Sequence, residues 1–198
     1  MSITIIGYIK DIPDDFDKEE PKWDSTKSSA APNNFFVVNK YWKKMKQKKV
    51  VEFHNLAAKT FYASKRERPG TCTVIVFFLT LQAPDEENWG KLVHMMQYIR
   101  GTRMLPLILS TNRSRVLKLW VDEFFSVHPN ILVHCRWGLS LGHGLSIVRS
   151  NKHYFNAKIS TETEIVVLDE FMTETCWTYY FIGAQGYNVK DNCLHNGN

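Results

Sequence analysis

The chain has 198 residues, a net charge of +5 and 44% hydrophobic residues, a composition typical of a globular protein with one or two domains. No apolar run approaches the roughly 20 residues that cross a bilayer. The first residues also lack the basic segment and the cleavage site of a signal peptide. We therefore expect neither a transmembrane nor a secreted protein.

The cysteines lie far apart, without the C-x-x-C spacing of zinc or redox motifs. They are Cys72, Cys135, Cys176 and Cys193. Isolated thiols fit a reducing compartment better than a disulfide framework. The sequence thus favours an intracellular protein, in the cytoplasm or the nucleus.

Residues 1–50 have the composition of a poorly structured leader. Pro13, Pro21 and Pro32 interrupt the segment, and an acidic cluster from Asp11 to Asp24 leaves little apolar surface to bury. We predict that this leader precedes a helical segment at 51–110 and a second domain at 111–198.

A basic stretch overlaps the end of the leader, with ten Lys and Arg residues from Lys40 to Arg68 against two acids. Aromatic residues interleave with these cations, as a contact with a phosphate backbone requires. A solvated basic helix face explains the same pattern equally well. The candidate nucleic-acid-binding residues are Lys43, Lys44, Lys46, Lys48, Lys49, Lys65, Arg66 and Arg68.

Two helices are predicted between 51 and 110. The first runs from about Val51 to Arg66, where residues of the stripe Phe53, Leu56, Ala57, Thr60, Phe61 and Ser64 recur at helical spacing. The second follows Pro84-Asp85 and ends at Arg100-Gly101, with a stripe of Trp89, Leu92, Val93, Met96 and Ile99. Thr71 to Leu81 fits either a strand or a helix.

From about Leu107 the pattern changes to short strands. We predict strands at Val116–Phe125, Trp137–Leu141 and Leu145–Val148, with a turn at Gly142–Gly144, then a helix from Thr161 to about Ile182 and a fourth strand from Val189. The predicted helix face holds Ile165, Leu168, Met172, Cys176 and Tyr179, and the residues expected in the core include Trp120, Trp137, Trp177 and Phe181. The order β-β-β-α-β predicts a mixed α/β fold.

Two carboxylates stand in apolar surroundings. Asp122 lies within a strand-like run, and Glu164 begins the apolar part of the last helix. A buried carboxylate is costly unless a cation or several donors lie beside it. Mg²⁺ would be such a partner, because it binds carboxylate oxygens.

Four stretches of the second half resemble the ribonuclease H domain of Copia-type (Ty1/Copia) retrotransposon polyproteins. They read WVDEFFSVHP at 120–129, SLGHG at 140–144, NAKISTETE at 156–164 and WTYYFIGAQGY at 177–187. Upstream, Phe53–Pro69 and Ala83–Thr102 are similar to the connection segment that joins the reverse transcriptase to this domain. The resemblance spans roughly residues 51–198.

The resemblance implies an incomplete ribonuclease H-like fold after the helical connection segment. Its chemistry would be hydrolysis of the RNA strand in an RNA–DNA hybrid by two Mg²⁺ ions. By position, Asp122 would be the bridging ligand on the central strand and Glu164 the ligand on the helix.

Departures from the family pattern argue against this activity. Gly197 stands where the family has its third acid, and Val133–Trp137 replaces a segment with two glycines by large residues. Two carboxylates are too few to hold two Mg²⁺ ions well. We therefore expect a degenerate, inactive polyprotein fragment. The alternative is a basic nucleic-acid-binding module without catalysis.

Overall fold

A computed structural model of the chain describes residues 2–17, 27–33, 35–37, 41–124, 134–152 and 160–196. Of residues 17, 123, 124, 160–164 and 196 it describes the backbone only. The chain divides into a helical unit, Ile3–Leu107, and a sheet unit, Ile108–Asn198 with Met1–Ser2. The predicted mixed α/β class is confirmed.

In its described residues, the helical unit contains four α-helices and a short 3₁₀ turn at Pro69–Thr71. After the two-residue strand β1 (Ser2–Ile3), these helices are α1 (Ile6–Asp17), α2 (Gln47–Arg66), α3 (Cys72–Leu79) and α4 (Glu86–Gly101). Among the helices that the structure describes in either unit, none is both long and apolar enough to span a bilayer.

Helix α1 corrects the prediction of a poorly structured leader over residues 6–17. Ile9, Ile12 and Phe16 share one face of this helix and are fully or almost fully buried in the core of the helical unit. Phe35 is buried in the same core, packed edge-on against Phe78. A few apolar residues at i, i+3 and i+7 are enough to fix a helix when a core receives them.

The residues of the predicted stripes in α2 and α4 are buried, except Phe61 and Val93, which are partly buried against the same core. Asp85 caps α4 through a reciprocal pair of hydrogen bonds, because Asn88 N donates to Asp85 Oδ1 at 3.0 Å and Asp85 N donates to Asn88 Oδ1 at 3.3 Å. The segment that fitted either a strand or a helix forms α3. Its buried residues, which include Ile75 and Phe77, surround most of the helix.

The sheet unit holds a four-stranded sheet in the order β7-β5-β4-β8. Its elements are β2 (Leu107–Ile108), β3 (Ser110–Thr111), β4 (Val116–Phe124), β5 (His134–Ser140), β6 (Gly142–His143), β7 (Ile147–Lys152), α5 (Ser160–Ala184) and β8 (Asp191–Asn196). Strand β5 pairs antiparallel with both β4 and β7, whereas β8 pairs parallel with β4. The predicted succession of three strands, a helix and a fourth strand is confirmed for β4, β5, β7, α5 and β8.

The connection from β5 to β7 is longer than the predicted turn, because β6 within it pairs with β3. Gly142 lies so close to this strand that a β-carbon would come within 2.5 Å of Ser110 O. Gly144 adopts a φ of 75°, which other residues rarely tolerate. Both glycines are thus required by the local backbone.

Helix α5 packs on one face of the sheet through Val167 and Phe171, with the Phe171 ring 4.8 Å from that of Trp137. The predicted face of α5 is wrong at Ile165, Met172 and Cys176, which are exposed, whereas Leu168 and Tyr179 pack against the core as predicted. Of the four aromatic residues expected in the core, the structure buries Trp137 alone; the exposed ones are Trp120, Trp177 and Phe181.

We predict that Phe16→Ala lowers the free energy of unfolding of the helical unit by about 3–5 kcal/mol, because it opens a cavity in a closed core. Far-UV circular dichroism in a urea titration measures this. Lys10→Ala, an exposed change on the same helix, should stay within about 0.5 kcal/mol of the parent. Equal effects of the two changes would mean that α1 does not contribute to the core.

Candidate functional site

Asp122 lies on β4 directly across from Arg136 of β5. The Asp122 Oδ2 atom accepts a hydrogen bond from Arg136 Nη2 at 2.5 Å. The Asp122 side chain is 29% exposed and that of Arg136 45%. The neighbouring strand β5 therefore supplies the cation that pairs with the Asp122 carboxylate.

The pair lies on the sheet face opposite α5. Side chains alternate between the two faces along a strand. Val121, which precedes Asp122, is buried on the α5 side together with its cross-strand partner Trp137. Asp122 and Arg136 consequently project from the other face, which also holds the half-exposed ring of Trp120.

Glu164, the other predicted ligand, belongs to the first turns of α5, but its side chain lies outside the described residues, as does Gly197. Within the described part of the chain, no group of three or more His, Cys, Asp and Glu side chains could hold a metal ion. Asp122 is engaged by a guanidinium.

Five of the predicted basic residues line one concavity of the helical unit, about 310 Å³ in volume, which we call the lysine basin. These residues are Lys43, Lys44, Lys46, Lys48 and Lys49. Glu52, Glu86 and Trp89 complete the lining. The basin forms where the starts of α2 and α4 come together, because Glu86 N donates to Lys43 O at 3.1 Å.

The electrostatics of the basin are dominated by its lysines. Lys49 Nζ lies 3.3 Å from Glu86 Oε2 and 4.3 Å from the centre of the Trp89 ring. At Lys46, the N-cap of α2, no side-chain group caps the helix, and the first turn of α2 has no acidic residue. The positive end of the helix dipole thus adds to the charge of the lysines.

The other predicted cations lie outside the basin. Lys65 stacks over the ring of Phe61 at 5.1 Å, and Arg66 over the ring of Tyr62 at 5.6 Å. Both cations are exposed near the end of α2. They remain accessible to a nucleic acid, but on a separate patch.

Arg68 is not part of an accessible surface, so the prediction is wrong for this residue. Its guanidinium is 3% exposed, lies 3.2 Å from the buried Glu67 carboxylate, and donates to Leu105 O at 2.5 Å and Thr102 O at 2.6 Å. Glu67 in turn accepts from Ile5 N at 2.8 Å. Through these hydrogen bonds, Glu67 and Arg68 connect the end of α2 to the first and the last residues of the helical unit.

Sequence reasoning missed a cavity of about 660 Å³ in the sheet unit. Arg113 and Arg115 lie at its edge, and the end of α5 forms one wall with Phe181 and Ile182. No sequence motif marks Arg113 and Arg115 as binding residues. The only signal in the sequence is a polar turn before β4.

The chain matches no protein-family model, and neither a curated protein nor a solved structure matches it.

We predict that Arg68→Met destabilises the helical unit by about 3 kcal/mol or more, because it leaves the Glu67 carboxylate buried without its cation. Thermal and urea unfolding measure the loss. The neighbouring Arg66→Met, at an exposed site, should cost less than about 0.5 kcal/mol.

The double variant Glu67→Gln/Arg68→Met separates lost charge from lost packing. It should be more stable than Arg68→Met alone, because no unpaired charge remains and the glutamine oxygen can still accept from Ile5 N. A double variant less stable than Arg68→Met would contradict this account of the pair.

Proposed function

We propose that the chain corresponds to the connection segment and the first part of the ribonuclease H domain of a Copia-type retrotransposon polyprotein. We further propose that its ribonuclease H-like unit does not hydrolyse RNA–DNA hybrids. The four sequence stretches given above support the family. The order and pairing of the strands support the fold that this family implies.

Strand β4, the strand of the WVDEFF stretch, lies inside the sheet between β5 and β8. Asp122 thus stands on a central strand, where the resemblance would require the bridging ligand. Helix α5 lies between β7 and β8 in the chain, and its two ends hold Ser160–Glu164 of the NAKISTETE stretch and Trp177–Ala184 of the WTYYFIGAQGY stretch. These placements are what a β-β-β-α-β ribonuclease H-like unit would need.

The ion pair of Asp122 with Arg136 is the observation that carries the proposed loss of activity. Arg136 belongs to the segment in which the family has two glycines, so the guanidinium occupies space that a small residue would leave open. A metal ligand needs carboxylate oxygens free to face the ion. Here a permanent cation of the chain occupies one of those oxygens.

The lysine basin favours a second function, binding of nucleic acid without catalysis. Five lysines around one concavity supply the charge that phosphates attract. Two acids, Glu52 and Glu86, line the same concavity and offset part of this charge. The basin therefore suits a salt-sensitive contact with the backbone rather than recognition of bases.

We predict that the purified chain cleaves the RNA strand of an RNA–DNA hybrid in Mg²⁺ no faster than buffer does. Asp122→Asn should give the same rate as the parent and change stability by less than about 1 kcal/mol, because the ion pair is partly exposed. An active ribonuclease H on the same substrate serves as the positive control. Mg²⁺-dependent cleavage that Asp122→Asn abolishes would overturn the proposed inactivity.

We predict that affinity for an RNA–DNA hybrid falls steeply with salt. Lys46→Gln and Lys48→Gln should each lower the slope of log affinity against log salt by about 1, because each removes about one phosphate contact. Fluorescence anisotropy across a salt series measures the slope. Lys10→Gln, outside the basin, is the matched control. If the affinity of the parent does not change with salt, the proposed binding of nucleic acid is wrong.

A further inference from the structure

The cavity of the sheet unit has an apolar wall and a cationic edge. Leu141, Phe181, Ile182, Tyr187 and Val189 form the wall. Its volume of about 660 Å³ lies within the range of sites that hold small molecules. None of the described residues that line it is acidic.

Two arginines at the edge are held by the turn that precedes β4. Asn112 Oδ1 accepts from Ser114 N at 3.2 Å and from Ser114 Oγ at 2.6 Å, and Lys190 N donates to Arg115 O at 2.8 Å. Arg113 and Arg115 adopt φ values of 60° and 58°, which are uncommon for residues other than glycine. Their backbone is therefore positioned by neighbouring groups rather than by its own preference.

Neither guanidinium has an ion pair with a carboxylate that the structure describes. Both Arg113 and Arg115 are exposed at the cavity edge. Unpaired guanidiniums bind carboxylates and phosphates well, because their planar N–H groups match two oxygens at once. The edge of the cavity is thus complementary to an anion.

The wall of the cavity suits a planar ring. Phe181 is 48% and Tyr187 71% exposed, so both aromatic side chains can contact a ligand. The Phe181 ring is stacked on Trp177 with centres 5.0 Å apart and an angle of 10° between the rings. Stacked and offset rings offer a flat apolar surface to a further aromatic group.

We propose that this cavity binds a small aromatic anion, with its ring against Phe181 and Tyr187 and its carboxylate or phosphate between Arg113 and Arg115. The apolar wall supplies affinity through burial of the ring, and the arginines select for the charge. This site is separate from Asp122 and does not depend on the proposed function.

Isothermal titration of the full chain with three matched probes tests the site. 1-Naphthyl phosphate and 1-naphthoate carry the two anionic groups on one ring system, and 1-naphthol carries neither. We expect at least one of the anions to bind, at least about tenfold more tightly than 1-naphthol. The anion that binds more tightly shows whether the site prefers a phosphate or a carboxylate. Absence of binding by both anions would overturn the proposal.

Variants locate the binding. Arg113→Gln and Arg115→Gln should each lower the affinity for the more tightly bound anion by about three- to tenfold. This is the range for charged contacts at partly exposed sites. Lys10→Gln makes the same change of charge in the helical unit and should leave the affinity unchanged. Gln185→Trp places an indole in the cavity with both arginines retained, and should weaken binding by at least about tenfold.

Circular dichroism of each variant shows whether the fold is kept. Arginine variants that bind as tightly as Lys10→Gln would overturn the proposal, as would full affinity in a folded Gln185→Trp variant. Equal affinity for 1-naphthol and the anions would exclude the role assigned to the guanidiniums.

Discussion

The Asp122 carboxylate on the central strand β4 is 29% exposed, and a cation beside it offsets the part of its hydration that the neighbouring strands remove. In this chain the cation of Asp122 is Arg136, placed opposite by the antiparallel register of β4 and β5. The alternation along β4, where Leu117, Leu119 and Val121 are buried and their neighbours are more exposed, favours this register. The chemistry open to Asp122 thus follows from strand pairing, because the guanidinium placed opposite it engages one of its carboxylate oxygens.

The basic stretch from Lys40 to Arg68 separates into two physical roles once the chain is folded. Arg68 is buried against Glu67 and serves the structure of the helical unit, where its removal would leave an unpaired charge. The lysines of the basin remain at the surface, where charges contribute little to stability but attract anions. A count of charges along the sequence does not distinguish these roles, because it contains no information about burial.

Much of the secondary structure could be predicted, and the errors have physical causes. A stripe with a polar opposite face, such as that of Phe53, Leu56 and Thr60 in α2, identifies a single buried side. Helix α5 is apolar on several faces, so that periodicity could not choose between Val167 and Ile165. Helix α1 was not predicted, because the acidic composition of its segment and Pro13 indicated a poorly structured chain. The helical spacing of its three buried apolar residues was not given enough weight. Asp122 could be found from its apolar surroundings, whereas its partner Arg136 required the register.

The two sites assigned to the sheet unit lie toward opposite ends of β4. Arg115 precedes the strand and Asp122 lies seven residues further on, which corresponds to roughly 23 Å of extended chain. A ligand in the cavity would therefore contact neither Asp122 nor Arg136 directly, and a change at Asp122 leaves the cavity wall intact. The proposed loss of a hydrolytic centre and the proposed ligand site are for this reason independent of each other. Failure of either assignment would leave the other standing.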